Sequence, residues 1–337
     1  MTSTARLVRN VLLSIAYGDA MGMPTENLTR SQIAERYGDI TEFNESPDDV
    51  GTFIRHLPAG TVTDDTENAI FLCNMLIDAK GRVDPELFVK YLMDWLDHDE
   101  RSAVMVGPST KGAIEAIRHG TPLKESGIWG TTNGASMKIA PIGLISPVAD
   151  MEGLIRNVSA ICMPTHNTQV AIQGACIVAA AVSYMFDNQD IDWNEYYGFV
   201  HQAGALSSNL GNPLPTPDIL RRIDYGRHIA DSADEDEFRD QLYGFMGTGL
   251  ETIETVPAAI TIVYRYRANL RLCVRTCAGI GGDTDTLGAI CGGICGGYDC
   301  NLTDDEIDTL QGVNAIDFGG TAEGMSSIVD SARAPRA

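Results

Sequence analysis

Residues 59–72 read AGTVTDDTENAIFL and place two adjacent carboxylates, Asp64 and Asp65, directly before an apolar run. Ser, Thr and Asp are preferred at helix N-termini, where the helix dipole also stabilises acidic side chains. The pattern therefore predicts that a helix over residues 65–80 begins here. Capping explains one acid, but neighbouring carboxylates repel each other, so the pair requires a further reason.

A second acidic helix start lies near the other end of the chain. Residues 279–293 read GIGGDTDTLGAICGG, so Asp283 and Asp285 follow two glycines and open another predicted helix. Either motif alone is an ordinary N-cap, but two such clusters with flanking glycines favour a shared cation site. Glycines recur every fourth residue after the acids and predict close helix packing: these are Gly288, Gly292 and Gly296.

Helical periodicity extends through most of the chain, and alternating β-branched patterns typical of strands are scarce. We therefore predict an all-α fold forming a single compact multi-helix domain over residues 1–337, with a tail that frays from about 319 to 337. Pro257 is expected in the first turn of its helix. The predicted helices cover residues 4–18, 65–80, 84–98, 109–119, 136–145, 151–162, 168–187, 194–208, 216–231, 234–246, 255–277, 284–298 and 303–312.

Composition narrows the class of protein. The chain has 337 residues, of which 44% are hydrophobic and 21% charged, and its net charge is −22. So acidic a chain is a poor candidate for binding nucleic acid through a basic surface. The apolar stretch 170–186 is marginal for spanning a membrane and is read as a buried core helix. With no CxxC pair among the eight cysteines, we expect a soluble, cytoplasmic protein with reduced thiols.

The residue types at the two motifs narrow the choice of metal. Carboxylates and hydroxyls are hard oxygen donors, and neither cluster contains a His or Cys, which argues against zinc. Mg²⁺ fits best, Mn²⁺ is the alternative, and Ca²⁺ stays open. If the four aspartates converge, their mutual repulsion raises at least one pKa. Two divalent cations would neutralise that charge.

Three further segments each carry a weak signal. Residues 18–26 read GDAMGMPTE and end in a single acid, Glu26. Residues 130–144 read GTTNGASMKIAPIGL, where the turn at Asn133 precedes a predicted helix whose exposed N–H groups could cradle a phosphate. His166 stands just before the helix over 168–187. None of these residues alone indicates a site.

Together and in this order, the segments GDAMGMPTE, TDDT, TNGASMKIAP, TH and GGDTDT resemble the ADP-ribosylglycohydrolase family. The resemblance implies an all-α fold around a two-metal site that holds Mg²⁺ or Mn²⁺. Carried onto this chain, it implies the metal ligands Thr63, Asp64, Asp65, Asp283, Asp285 and Thr286. It implies a substrate-binding group made of Asn133, Gly134, Ala135, Ser136, Met137 and His166.

The resemblance also implies the reaction. A metal-activated water would attack the anomeric carbon and release ADP-ribose from an ADP-ribosylated protein or small molecule, and Glu26, Asp64 or Asp65 would take the proton. Lys138 and Thr131-Thr132 depart from the family pattern at the glycine loop, which weakens the transfer of an ADP-ribosyl substrate. A hydrolase of a smaller N-riboside is therefore the alternative, ahead of a non-catalytic metal-binding relative. The sequence indicates no oligomeric state.

Overall fold

The computed structural model describes residues 1–49 and 56–334, and within these ranges it contains helices and no β-strand. A 3-10 turn at Met23–Thr25 follows the first helix, and a π-helical turn at Leu242–Met246 follows the fourteenth. The α-helices are α1 (Ser3–Gly22), α2 (Arg30–Arg36), α3 (Asp64–Asp78), α4 (Pro85–His98), α5 (Ser102–Met105), α6 (Pro108–Arg118), α7 (Leu123–Ser126), α8 (Gly134–Met137), α9 (Ala140–Leu144), α10 (Met151–Cys162), α11 (Gln169–Asp187), α12 (Trp193–Ser207), α13 (Ile219–Ser232), α14 (Glu235–Gln241), α15 (Thr252–Arg265), α16 (Leu270–Ile280), α17 (Thr284–Cys295), α18 (Asp304–Asn314) and α19 (Phe318–Arg333). The all-α prediction is confirmed.

Helices α1 and α17 lie antiparallel at the centre of the fold, with their backbones in direct contact. A Cβ added to Gly288 would lie 2.2 Å from the carbonyl oxygen of Gly18, and one added to Gly292 would lie 1.9 Å from the carbonyl oxygen of Ser14. Only glycine permits this approach, which confirms the predicted close packing. The contact brings the C-terminal end of α1 beside the acidic start of α17.

Helix α11 is the one described helix long and apolar enough to cross a membrane, and 89% of its most apolar window is buried within the fold. It packs against α8, α9, α10, α12, α15 and α17. Its apolar composition therefore fits its place in the core, as predicted for residues 168–187. This burial is consistent with a soluble protein.

The segment predicted as one helix over 255–277 is two helices, α15 and α16. Arg267 and Ala268 between them have φ of 52° and 55°, which interrupts the helical path. Helix α15 begins at Thr252, so Pro257 lies inside it rather than in its first turn. A proline there leaves the carbonyl of Ile253 without its helical donor, and Arg222 Nη1 donates to that oxygen at 3.2 Å.

Two other expectations are wrong for local reasons. The helix predicted over 136–145 divides into α8 and α9, because Pro141 has no N–H to continue a helix through it. Of the tail expected to fray over about 319–337, residues 319–333 belong to α19, which packs against α1 and α3, and residues 335–337 lie outside the described residues. Arg333 anchors its end by donating to the carbonyl oxygens of Gly143, Leu144 and Ser146.

Candidate metal centre and substrate cavity

The two acidic motifs meet at one cavity of about 430 Å³. Residues in the first turns of α3 and α17 line it, as do residues 103–108, 110 and 111. Carboxylate oxygens of Glu26, Asp283 and Asp285 lie within 4.8 Å of one another, a spacing that one cation could span. The described lining residues that carry charge are Glu26, Asp64, Asp65, Lys111, Asp283 and Asp285.

Asp65 carries the clearest sign of a missing partner. Its Oδ2 lies 3.1 Å from Thr63 Oγ1 and 3.4 Å from Thr286 Oγ1, which brings the two motifs within hydrogen-bonding distance of each other. Its Oδ1 is buried and has no hydrogen-bond partner. An unpaired buried carboxylate oxygen is costly, so this atom fits a cation ligand.

The start of α17 is arranged in the same way. Asp283 occupies the N-cap position, but its side chain makes no capping hydrogen bond. Its Oδ2 instead accepts from Asn133 Nδ2 at 2.5 Å, and the same amide nitrogen lies 2.9 Å from Thr255 Oγ1. The backbone N–H of Thr286 donates to Asp285 Oδ1 at 3.0 Å. Simple capping therefore does not account for these acids.

The electrostatics of the centre favour a cation. Burial is the largest cause that raises the pKa of Asp65 and Asp285 well above the ordinary range, and neighbouring carboxylates raise both further. For Asp285 those neighbours are Glu26, Asp283 and Asp65. A hard, oxygen-rich and strongly negative donor set of this kind fits Mg²⁺ or Mn²⁺.

Asp19 is a buried member of this centre that the sequence reasoning missed. Its carboxylate accepts from the backbone N–H and the Oγ1 of both Thr63 and Thr66, at distances of 2.5 to 3.1 Å. One of its oxygens also lies within 4.8 Å of Asp65 and Asp285 oxygens. The available signal was an acid set within a run of otherwise apolar and small residues in the first helix.

Glu26 reaches the centre from a short arm after α1. Its carboxylate accepts from Asn27 Nδ2 at 2.9 Å. Asn27 has φ of 62°, and its backbone N–H donates to the Gly282 carbonyl at 2.7 Å. The N–H of Gly282 donates in turn to the Leu28 carbonyl at 3.0 Å. The arm is therefore bonded to the glycine pair that leads into Asp283.

The predicted substrate loop contributes only part of its residues to the cavity. Asn133, Gly134 and Met137 line it, together with the neighbouring Thr132. Ala135 and Ser136 are fully buried outside the lining. Ser136 Oγ lies 3.2 Å from the position a Cβ on Gly174 of α11 would take, so it faces the core. Ala135 and Ser136, which were predicted to bind substrate, therefore lie outside the lining of this cavity.

His166 and Lys138 also lie behind the loop rather than in the cavity. His166 is buried between Thr165 and Thr132, whose hydroxyl oxygens lie 2.8 and 3.1 Å from its ring nitrogens. Burial lowers the pKa of His166 well below its usual value, so the ring is neutral at pH 7. Lys138 Nζ donates to the Gly134 carbonyl at 2.7 Å and lies over the Phe88 ring, and burial lowers its pKa to about 8. Both residues support the loop from inside.

Two other features do not compete with this site. The larger cleft of about 1120 Å³ shares no lining residue with this cavity. Its arginines are paired with carboxylates: Arg30 with Asp240, Arg239 with Glu235 and Arg275 with Asp39. Cys277 and Cys291 lie 3.6 Å apart as thiols. Over the described residues, no three cysteines bring their sulfurs close enough to hold a metal.

Comparisons with known proteins identify relatives of this chain. A family model described as ADP-ribosylglycohydrolase matches residues 1–316. The chain is 32% identical over 323 residues to the uncharacterized protein YegU of Escherichia coli K12, covering 95% of this chain and 96% of YegU. It is 30% identical over 168 residues to the ADP-ribosyl-[dinitrogen reductase] glycohydrolase of Rhodospirillum rubrum, covering 49% of this chain and 52% of that enzyme.

A solved structure supports the fold independently. An "ADP-ribosylglycohydrolase-related protein complex" superposes with a TM-score of 0.71 at 20% identity, covering 98% of this chain and 100% of that one. The family model covers nearly the whole chain, and YegU exceeds 30% identity over almost its full length. The chain therefore belongs to the ADP-ribosylglycohydrolase family, whose members are enzymes that hydrolyse glycosidic bonds.

Proposed function

We propose that this chain is a metal-dependent hydrolase that releases ADP-ribose from an ADP-ribosylated protein or small molecule. The proposed metal ligands are Thr63, Asp64, Asp65, Asp283, Asp285 and Thr286, with Mg²⁺ as the preferred metal and Mn²⁺ as the alternative. The single observation that carries the proposal is the convergence of two acidic helix starts on one cavity, where Asp65 Oδ1 is buried without a partner. We place the enzyme in the cytoplasm.

Divalent cations, when bound, would supply Lewis acidity that makes a water more acidic and holds the hydroxyls of a ribose. The protein's own residues would then accept the proton and hold the acidic side chains in position. Of the three candidates, Glu26 is our choice to take the proton from the attacking water. Asp65 Oδ2 already accepts from the Thr286 hydroxyl, whereas Glu26 is half-buried at the cavity wall and close to Asp285.

The remaining carboxylates have an electrostatic role. Departure of the leaving group builds positive charge on the ribose ring, which neighbouring carboxylates stabilise. The Asn133 amide restrains Asp283 through its 2.5 Å hydrogen bond and is in turn held by Thr255 Oγ1. We propose that Asn133 acts by fixing this acid, and that Gly134 and Met137 shape the wall against which the substrate lies.

The proposal is tested by incubating the Mg²⁺-loaded protein with peptides ADP-ribosylated on arginine or serine, with ADP-ribose-1-phosphate, and with a nucleoside panel. Released ADP-ribose or ribose is followed by chromatography. We expect ADP-ribose from at least one ADP-ribosylated compound. Cleavage confined to nucleosides would refute the ADP-ribosyl substrate while retaining the reaction class.

One observation favours the second candidate, an N-riboside hydrolase. Lys138 is buried and donates to the Gly134 carbonyl, so it is not placed to contact a diphosphate in the cavity. Among the described residues that line the cavity, Lys111 is the one basic side chain. If the substrate carries a diphosphate, Lys111→Ala raises KM for ADP-ribosyl compounds. Exposed Lys124 lies outside the cavity lining, so Lys124→Ala is the matched control.

A further inference from the structure

Asp19 performs the capping role that the acids of α3 would otherwise perform. In a capping box, two side chains satisfy the backbone N–H groups of the N-cap and N3 residues. Here the N-cap is Thr63 and the N3 residue is Thr66, and Thr63 makes no side-chain cap of its own. A single carboxylate, brought in from α1, accepts from both of those N–H groups at 3.0 and 3.1 Å.

The same carboxylate also orients two hydroxyls. Thr63 Oγ1 donates to Asp19 Oδ1 at 2.9 Å, and Thr66 Oγ1 donates to Asp19 Oδ2 at 2.5 Å. Because Thr63 Oγ1 has a single proton and lies closer to Asp19 Oδ1 than to Asp65 Oδ2, at 2.9 against 3.1 Å, donation to Asp19 leaves its lone pairs available to a cation beside Asp65. Both oxygens of Asp19 already accept from these groups, so it is better suited to orienting ligands than to binding a cation itself.

This arrangement accounts for the unpartnered carboxylate oxygen at the start of α3. The first turn contains Asp64, Asp65 and Glu67, any of which is a residue type that helix starts favour. Because Asp19 satisfies the N-cap and N3 donors, Asp64 and Asp65 are not needed as caps. The Oδ1 atom of Asp65 is buried and makes no hydrogen bond, as expected for a carboxylate oxygen that does not cap the helix.

We infer that Asp19 is a positioning residue of the proposed cation site, which holds Thr63 in its ligand orientation and leaves the Oδ1 atom of Asp65 available to the metal. The inference rests on the proposed metal-dependent function. It predicts that Asp19 controls metal affinity and not only the stability of α3. Outer groups that orient metal ligands typically contribute about 10- to 100-fold to affinity.

The test is a Mn²⁺ titration of the full-length protein followed by electron paramagnetic resonance, with no turnover required. In Asp19→Asn, the amide NH₂ replaces one of the two carboxylate oxygens, and both of those oxygens accept from a backbone N–H of Thr63 or Thr66. In either orientation of the amide, a donor therefore faces a donor. We expect Mn²⁺ affinity to fall about 10- to 100-fold. We also expect the spectrum of the bound ion to change, an effect that loss of stability alone does not produce.

Three variants make the result decisive. Thr66→Val, which removes the 2.5 Å donor to Asp19, should weaken Mn²⁺ binding in the same direction, and Thr66→Ser should restore it. This pair keeps the inference testable if Asp19→Asn fails to fold. Thr303→Ala removes the N-cap of α18, outside the cavity lining, and should lower stability without changing Mn²⁺ affinity.

The failure of the inference can be told apart from the failure of the proposed function. If Asp64→Asn abolishes tight Mn²⁺ binding while Asp19→Asn and Thr66→Val bind Mn²⁺ as the wild type does, the role of Asp19 is overturned and the cation site stands. If Asp64→Asn also binds Mn²⁺ as the wild type does, the cation site itself is overturned.

Discussion

The contact between α1 and α17 predicts that Gly288→Ala damages both stability and the active centre. The added Cβ would lie 2.2 Å from the Gly18 carbonyl oxygen, whereas ordinary contacts begin at 3.4 Å. The two backbones must therefore separate locally by about 1 Å, and overpacking of this kind costs about 1–3 kcal/mol or more. The separation also moves α17, which carries Asp285, relative to α1, which carries Asp19.

Urea denaturation followed by circular dichroism at 222 nm measures the stability loss, and Mn²⁺ titration of the folded variant measures the effect on the site. The matched control is Gly112→Ala, in the exposed face of α6, where an added Cβ meets nothing within 4 Å. It should gain about 0.4–1 kcal/mol, because alanine restricts the unfolded chain. If Gly288→Ala were as stable as Gly112→Ala, the backbone contact of α1 and α17 would be refuted.

Three further predictions follow from the centre and its cavity. Burial and neighbouring acids raise the pKa of Asp285. The folded metal-free protein therefore retains a proton that the unfolded chain loses near pH 4. As a result, the unfolding free energy of the protein falls as pH rises from about 4 through the raised pKa. Because Asp65 contributes a slope of the same sign, Asp285→Asn should reduce the slope without abolishing it, and it should raise the melting temperature of EDTA-treated protein at pH 7. An unchanged slope would contradict the shift. Glu26→Gln should lower kcat about 10²- to 10⁴-fold with little change in Mn²⁺ affinity, and an unaltered kcat would exclude it as the base. Lys111→Ala should raise KM for an ADP-ribosyl peptide and leave nucleoside cleavage unchanged; equal effects on both would exclude a phosphate contact.

The helical class and the long helices could be predicted because their apolar periodicity is local. The break between α15 and α16 could not be predicted, because it depends on positive φ at Arg267 and Ala268, two residues with no preference for that conformation. Pro257 is tolerated inside α15 because Arg222 of α13 reaches the freed carbonyl of Ile253, a contact that no local pattern contains.

The candidate site likewise has features that local sequence predicts and features that depend on distant contacts. The oxygen-donor residue types and the pairing of two acidic motifs could be predicted, because both depend only on residue identity and position in the sequence. The part played by Asp19 was not, since its four donors come from residues 44 and 47 positions away. Likewise, the family resemblance implied that Ser136 and His166 bind substrate, but both side chains are fully buried and lie outside the cavity lining, which depends on packing that no local pattern contains.

The central claim is that the acidic centre holds the metal on which cleavage of an ADP-ribosyl bond depends. The most direct measurement is ADP-ribose release from an ADP-ribosylated peptide by protein stripped with EDTA and then supplied with excess Mg²⁺. The account predicts no release after stripping and recovery on addition of Mg²⁺, with no recovery in Asp283→Ala. Full release in the presence of EDTA would contradict it.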